Sequence, residues 1–250
     1  MNCDGEITHY AEPLAGGAGA AIELLSANVV RKIHLNDADP RIYSAWRAML
    51  LQNDAFKRRL IETPLNMDSW RECRKIVADP KGHSDELELG FATYFLNRTN
   101  RSGIVIGGGP IGGYSQNSKW NIDARYYLDT MLTRIDWIGR QASRISISNL
   151  DAVDFIRKFD SRRANKTFFF VDPPYVSAGS RLYLNTMDDA KHKQLAVAIR
   201  KKRSMHHWLI TYDDHPLIRE VYADAAISEF AVRYSLQTKR LEKEIQIRPV

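Results

Sequence analysis

Cysteine is scarce in this chain, with Cys3 and Cys73 alone among 250 residues. Two thiols that far apart build neither a disulfide framework nor a cysteine metal cluster, as in a reduced cytosolic protein. The seven histidines are scattered, and His206-His207 have no carboxylate or cysteine at ligand spacing, so no metal site is predicted. No apolar run reaches membrane-spanning length and the N-terminus lacks a signal-peptide layout, so a cytoplasmic location is expected. Internal repeats and low-complexity tracts are also missing. What remains is an ordinary globular composition, long enough for one large domain or one domain carrying an insertion. The net charge of +6 and pI near 9.3 lean towards a polyanionic partner. A solvated basic surface explains the charge equally well.

The most informative stretch is Thr167-Phe168-Phe169-Phe170-Val171-Asp172-Pro173-Pro174-Tyr175. Its apolar run reads as a strand buried on both faces. Two prolines then force a stiff, extended exit, because each fixes φ and lacks an N–H. A carboxylate, free carbonyls and a flat ring are thereby placed outside the carboxyl end of a central strand, where open α/β sheets bind ligands.

Upstream, Ile7 to Glu12 is a strand candidate, followed by Pro13-Leu14-Ala15-Gly16-Gly17-Ala18-Gly19 and a helix from Ala20 to Ala27. Small residues between strand and helix let backbone approach a nucleotide-like ligand, although the spacing is not GxGxxG. Lys32 to Leu35 form a second strand ending in Asn36-Asp37, with Asp37 placed either for ribose hydroxyls or for capping the helix opened by Asp39-Pro40. From Ala38 to about Gln141 helices dominate, too long a block for a crossover and better read as an inserted subdomain. Within it, Asn97, Arg98, Asn100 and Arg101 precede a glycine-rich loop and suit a surface that reads base edges, or an ordinary solvated linker. Arg144 to Ser148 is a third strand running into Asp151. Tyr183 to Asn185 follow the proline corner, then a helix at 188–202 and a strand at 208–212. Phe230 to Leu236 and Glu244 to Ile247 close as an antiparallel hairpin. Lys239 and Arg240 at its tip suit phosphate contact, or are the usual charges of a hairpin end.

An Asp-Pro-Pro-Tyr corner beside a nucleotide pocket has a specific chemistry. Tyr175 stacks on a heterocycle while the Asp172 carboxylate and the Pro173 carbonyl accept its two amino hydrogens. Adenine's amino lone pair is delocalised; acceptors at fixed angles favour the pyramidal, nucleophilic form and so stabilise the transition state. A sulfonium methyl donor then needs in-line alignment, and the base must leave the duplex to reach it.

The chain resembles the Dam-like DNA adenine-N6 methyltransferases of the α arrangement. The resemblance rests on Tyr10-Ala11-Glu12-Pro13-Leu14-Ala15-Gly16-Gly17-Ala18-Gly19, Leu35-Asn36-Asp37, Phe95-Leu96-Asn97-Arg98-Thr99, Asp172-Pro173-Pro174-Tyr175 and Tyr212-Asp213-Asp214, in that order. It implies an α/β fold: a Rossmann-like doubly wound methyltransferase sheet with an antiparallel C-terminal hairpin and a mostly helical insert. The catalytic domain would be residues 1–54 and 141–250, and the DNA target-recognition insert 55–140. S-adenosylmethionine would be the donor, double-stranded DNA the substrate, and a restriction or defence protein a partner. Glu12, Gly16 and Asp37, with Tyr10, Pro13, Gly17 and Asp172, would hold the donor; Asp151 would line its adenine pocket. Two departures stand out. The family's Gly-Gly-Lys segment before the first strand has no match in Asn2 to Thr8. Ile104-Val105-Ile106 stands where GATC-specific members carry their guanine-reading arginine, so GATC is not predicted. The first departure leaves a DNA-binding relative without catalysis as an alternative, and a methyltransferase of RNA or protein amides is a third reading.

Overall fold

The computed structural model describes residues 6–82, 85–176, 187–234 and 240–250, excluding the side chains of 232–234 and 240–242. The predicted segment Tyr183 to Asn185, Cys3 and Lys239 lie outside the described residues, as does the side chain of Arg240. Two compact units account for the chain: residues 1–38 with 144–250, and residues 39–143.

The first unit is a seven-stranded sheet in the order β3-β2-β1-β4-β5-β7-β6. Its strands are β1 (His9–Glu12), β2 (Lys32–Asn36), β3 (Ile145–Ser148), β4 (Thr167–Val171), β5 (His207–Asp213), β6 (Ala226–Tyr234) and β7 (Arg240–Arg248). The first five run parallel, whereas β7 is antiparallel to β5 and pairs with β6 as a hairpin. This is the expected doubly wound α/β arrangement with an antiparallel hairpin. The chain builds outward from β1 through β2 to β3, then returns to lay β4 on the other side of β1. The sheet's switch point therefore falls between β1 and β4.

Alternation along β4 decides what each face does. Thr167, Phe169 and Val171 are fully buried, while Phe168 and Phe170 are only half-buried, so the strand is not sealed equally on both faces as expected. Phe169, Val171, Ile210, Tyr212, Ile245 and Ile247 form a core with Ile156, Leu195, Ile199, Ile218 and Tyr222. The last five come from α7 (Ala152–Lys158), α9 (Asp189–Lys201), α10 (Pro216–Val221) and the residue after it. On the other face Phe168 stacks on Tyr10 at 6.2 Å, and that face carries the polar strand ends. A four-residue helix, α8 (Ser161–Ala164), leads into β4.

The second unit is helical: α2 (Pro40–Leu51), α3 (Asn53–Glu62), α4 (Met67–Ala78), α5 (Glu86–Thr99) and α6 (Leu128–Arg140). Each apolar stripe closes on the others through Trp46, Phe56, Leu60, Trp70, Phe91, Phe95 and Ile135, all buried. Gly90 lets α5 lie against α2, because a Cβ there would sit 2.5 Å from the Ser44 carbonyl oxygen. Asp39 caps α2 by accepting the Arg41 N–H at 2.9 Å, with Pro40 in the first turn. The unit thus begins at residue 39, not at 55 as expected; α2's apolar face belongs to the helical core, not to the sheet. Cys73 is buried in α4, and burial pushes its thiol up to about 12. Among the described residues no helix is long and apolar enough to cross a membrane.

Candidate active site

The carboxyl ends of the parallel strands gather acids and amides, and the loop after β1 organises them. Gly16 and Ala18 both adopt left-handed backbone, with φ of 48 and 47. Gly16 does so freely; Ala18 carries a Cβ against this conformation, strain of the kind stored at ligand sites. The loop is held from β2: the Asp37 carboxylate accepts the Gly16 N–H at 2.9 Å, and the Ala15 N–H reaches the Asn36 carbonyl at 2.9 Å. Asp37 therefore positions this loop, while the cap of α2 falls to Asp39. A Cβ added at Gly16, Gly17 or Gly19 would meet nothing within 4 Å, so the space before the loop is open.

Asn36 ties the three left-hand strand ends together and was not singled out by sequence. Its amide donates to the Pro13 carbonyl at 2.8 Å and the Leu150 carbonyl at 2.9 Å. Its oxygen accepts from the Leu150 N–H at 3.0 Å and the Ser148 hydroxyl at 2.8 Å. The side chain is fully buried. Two backbone carbonyls demand a donor and one N–H an acceptor, a set that an amide satisfies and a carboxylate does not. A buried Asn at a strand end is the only sequence signal it leaves.

Glu12 is 4% exposed. It accepts the Ala21 N–H at 3.2 Å, within the first turn of α1 (Gly19–Ser26), a helix with no side-chain cap of its own. The Tyr10 hydroxyl donates to the same carboxylate. Burial outweighs both bonds and, with the Asp172 charge nearby, raises Glu12 from 4.5 to about 7.

Across the switch point stands the proline corner. Thr211 on β5 donates to Asp172 Oδ1 at 2.6 Å, fixing the carboxylate. Solvent reaches Asp172, yet protein atoms surround its carboxyl closely enough to raise its pKa; Thr211 opposes the rise and Glu244 adds to it. Pro173 and Pro174 are buried. The corner's far side is pinned by Asp213, whose carboxylate accepts the Val176 N–H at 3.0 Å. Tyr175, between these anchors, packs half-buried against the sheet core. Tyr10, Glu12, Phe168 and Asp172 fall on one face by strand register, so the β1 loop and the corner share one side of the sheet. Asp151 at the end of β3 caps α7 through the Val153 N–H at 2.9 Å and pairs with Lys191 at 2.8 Å, which holds its carboxyl below the ordinary value against the opposing effect of burial.

In the helical unit, the polar residues expected at a base-reading surface are mostly used inside. Asn100 is 1% exposed; it accepts the Trp70 indole N–H at 2.7 Å and donates to the Ile104 carbonyl at 2.7 Å. Asn97 donates to the Gly103 carbonyl at 3.0 Å and Arg98 to the Arg125 carbonyl at 3.0 Å. The two asparagines shape the start of the glycine-rich loop, whose irregular backbone would otherwise leave carbonyls unpaired, while Arg98 ties α5 to the segment before α6. Arg101 is exposed. So are Tyr114, Trp120 and Tyr127, at 62%, 65% and 62%, with the Lys119 ammonium 5.6 Å from the Trp120 ring centre. The sequence offered no signal that singles these aromatics out, since they lie in an irregular segment with no periodicity.

A family described as "D12 class N6 adenine-specific DNA methyltransferase" matches residues 2–236. No curated protein matches the chain. Among solved structures, the rRNA methyltransferase aviRa from Streptomyces viridochromogenes shares 13% identity, with 98% of this chain and 76% of that one covered. The TM-score is 0.40.

Proposed function

From the premise that the chain belongs to the D12 class of N6 adenine-specific DNA methyltransferases, we propose how its strand ends divide the reaction. S-adenosylmethionine is the donor, held before the β1 loop by Tyr10, Glu12, Pro13, Gly16, Gly17 and Asp37; Asp151 and Asp172 border it. The open space before Gly16 and Gly17 and the carboxylates of Glu12 and Asp37 fit a cationic, hydroxyl-bearing nucleoside. Bound there, the donor supplies an electrophilic methyl group.

The proline corner takes the target adenine, extruded from the duplex because its amino group is otherwise inside the stack. Asp172 Oδ2 and the Pro173 carbonyl accept the two amino hydrogens, and Tyr175 stacks on the ring. Both acceptors are fixed before the base arrives, Asp172 by Thr211 and the corner by Asp213. Preorganised acceptors favour the localised lone pair and cost nothing to orient during reaction. After transfer the amino nitrogen is acidic enough to lose its proton to Asp172 or to water. In the helical unit, Arg101, Lys119 and Trp120 supply the exposed cations and ring for duplex contact.

The observation that carries this reading is the placement of Glu12 and Asp172 on one sheet face at the switch point. Asp172→Ala retains donor affinity in calorimetry but loses DNA methyl transfer by on the order of 10²–10³-fold, the cost of removing one transition-state contact. Normal methylation by that variant would refute the mechanism. Absence of donor binding by the wild type would refute the pocket.

A further inference from the structure

At the opposite end of the sheet the charge changes sign. The carboxyl ends carry Glu12, Asp37, Asp151, Asp172 and Asp213. The amino ends carry Arg31 and Lys32 at the foot of β2, Arg162 and Arg163 on α8, Lys166 before β4 and Arg203 before β5, all exposed. Because β1 to β5 are parallel, these cations share one end of one compact unit.

Their convergence is visible at His9. Beyond burial, the largest cause, Arg163, Lys32, Arg31 and Lys166 all lie near enough to lower its pKa. Little neutralises them. Glu6 stands 3.9 Å from Arg31 and Asp160 3.7 Å from Arg163, with side chains 47–82% exposed, so both pairs are loose and well solvated. Complementing helix C-terminal dipoles explains basic residues on α8, but not Arg31, Lys32, Lys166 and Arg203, which lie outside helices. Two further cations are structural. Arg144 donates to the Arg31 and Val30 carbonyls at 3.0 and 3.1 Å, and Lys202 to the Arg157 and Phe159 carbonyls. They tie down the loops that present the others.

We propose that this amino-end face is a second, sequence-independent contact for duplex nucleic acid, gripping phosphates on a segment away from the reacting base. From β3 to β5 it spans four inter-strand spacings, roughly 19 Å at ~4.8 Å each. A duplex presents one charge per ~1.7 Å, hence about 11 phosphates over that length. Large apolar side chains, which anchor protein interfaces, are confined at this end to Val29 and Val250 among the described residues. An acidic protein is therefore the poorer fit. The contact needs no methyl transfer and stands apart from the proposed chemistry, although it concerns the same polymer.

The test is the salt dependence of binding to a 40-base-pair duplex of arbitrary sequence. In the combined variant Arg31→Gln, Lys32→Gln, Arg163→Gln, Lys166→Gln, the slope of log K against log salt becomes shallower by about 2–4, at ~0.9 for each phosphate no longer neutralised. The pair Arg162→Gln, Arg203→Gln, at positions the first variant leaves untouched, shows a smaller loss and guards against misfolding of the first. With a duplex of about 14 base pairs at saturation, too short to occupy both ends, kcat stays within about twofold of wild type. Wild-type slopes in both folded variants overturn the proposal, as would a matching fall in kcat on the short duplex. If wild type transfers no methyl group while the slopes still differ, the functional reading fails and this contact stands.

Discussion

Glu12 makes the sharpest test of the site, because its buried carboxyl links pocket electrostatics to stability. The perturbation is Glu12→Gln, which keeps an oxygen for the Ala21 N–H and a partner for the Tyr10 hydroxyl while removing the charge. Burial raises the Glu12 pKa from 4.5 to about 7. For an acid raised on folding, the folded state holds its proton where the unfolded state has lost it. The stabilisation is complete below pH 4.5, falls as pH rises to about 7, and is flat above. At ~1.36 kcal/mol per pKa unit, the swing is roughly 3 kcal/mol, absent from the glutamine variant. The wild-type curve alone is not diagnostic, because His34 works the other way. Burial first, then the His9, Arg163 and Lys32 charges, push His34 down to about 4. Its contribution is lost as pH falls from 6.5 towards 4. Both proteins share that contribution, so their difference isolates Glu12.

The assay is thermal or denaturant unfolding of wild type and Glu12→Gln at pH values from about 5 to 8.5. Near pH 5 the two are close in stability; by pH 8 the variant is the more stable by up to roughly 3 kcal/mol. A cationic sulfonium donor then narrows the gap, since it favours the Glu12 carboxylate and does nothing for an amide. Parallel curves across the range would refute the argument that burial governs this carboxyl. A gap that the donor leaves unchanged would place the donor's charge elsewhere.

Asn36→Ala removes four hydrogen bonds and leaves buried partners unmet, costing about 2–6 kcal/mol at ~0.5–1.5 each, less where water enters. Asn36→Asp, though isosteric, turns an acceptor towards the Pro13 and Leu150 carbonyls and is more destabilising than alanine near pH 7; denaturation showing it equal or milder would contradict the assigned amide orientation. Gly90→Ala forces α5 from the Ser44 backbone and costs about 1–3 kcal/mol, read as a lower unfolding midpoint of the helical unit. An unchanged midpoint would mean the two helices separate freely.

What could be read from the chain divides by physical cause. Strand ends were legible because their signals are local: β-rich runs stopped by Asp-Pro-Pro, by Asn-Asp or by a glycine turn follow from backbone constraints within a few residues. Glu12, Asp37 and Asp172 accordingly lie at the carboxyl ends of β1, β2 and β4. Partner choice was not legible. Asn97 and Asn100 announce hydrogen bonding by their chemistry, but whether to a base or to the Gly103 and Ile104 carbonyls depends on how the glycine-rich loop closes. Exposure was equally hidden: Trp70 and Trp120 look alike in sequence, yet one is buried against Asn100 and the other stands in solvent beside Lys119. How far the helical unit reaches was hidden for the same reason, since the periodicity of α2 marks an apolar face without saying which core receives it.

The separation of charge has no single residue as its signal, and it bears directly on how the enzyme meets DNA. Acids at the carboxyl ends favour a sulfonium donor but repel phosphates, so the reaction end of the sheet is a poor place to hold a duplex by its backbone. Backbone affinity has to come from other surfaces, and a chain of net charge +6 has the cations for it. In the sheet unit they collect at the far end, around His9. Moving cations to the reaction end, for instance by Asp213→Lys, would break the Val176 bond that pins the proline corner, so greater duplex affinity there would come with slower transfer. On the proposed reading, grip and chemistry lie at opposite ends of the same strands because each would electrostatically disfavour the other.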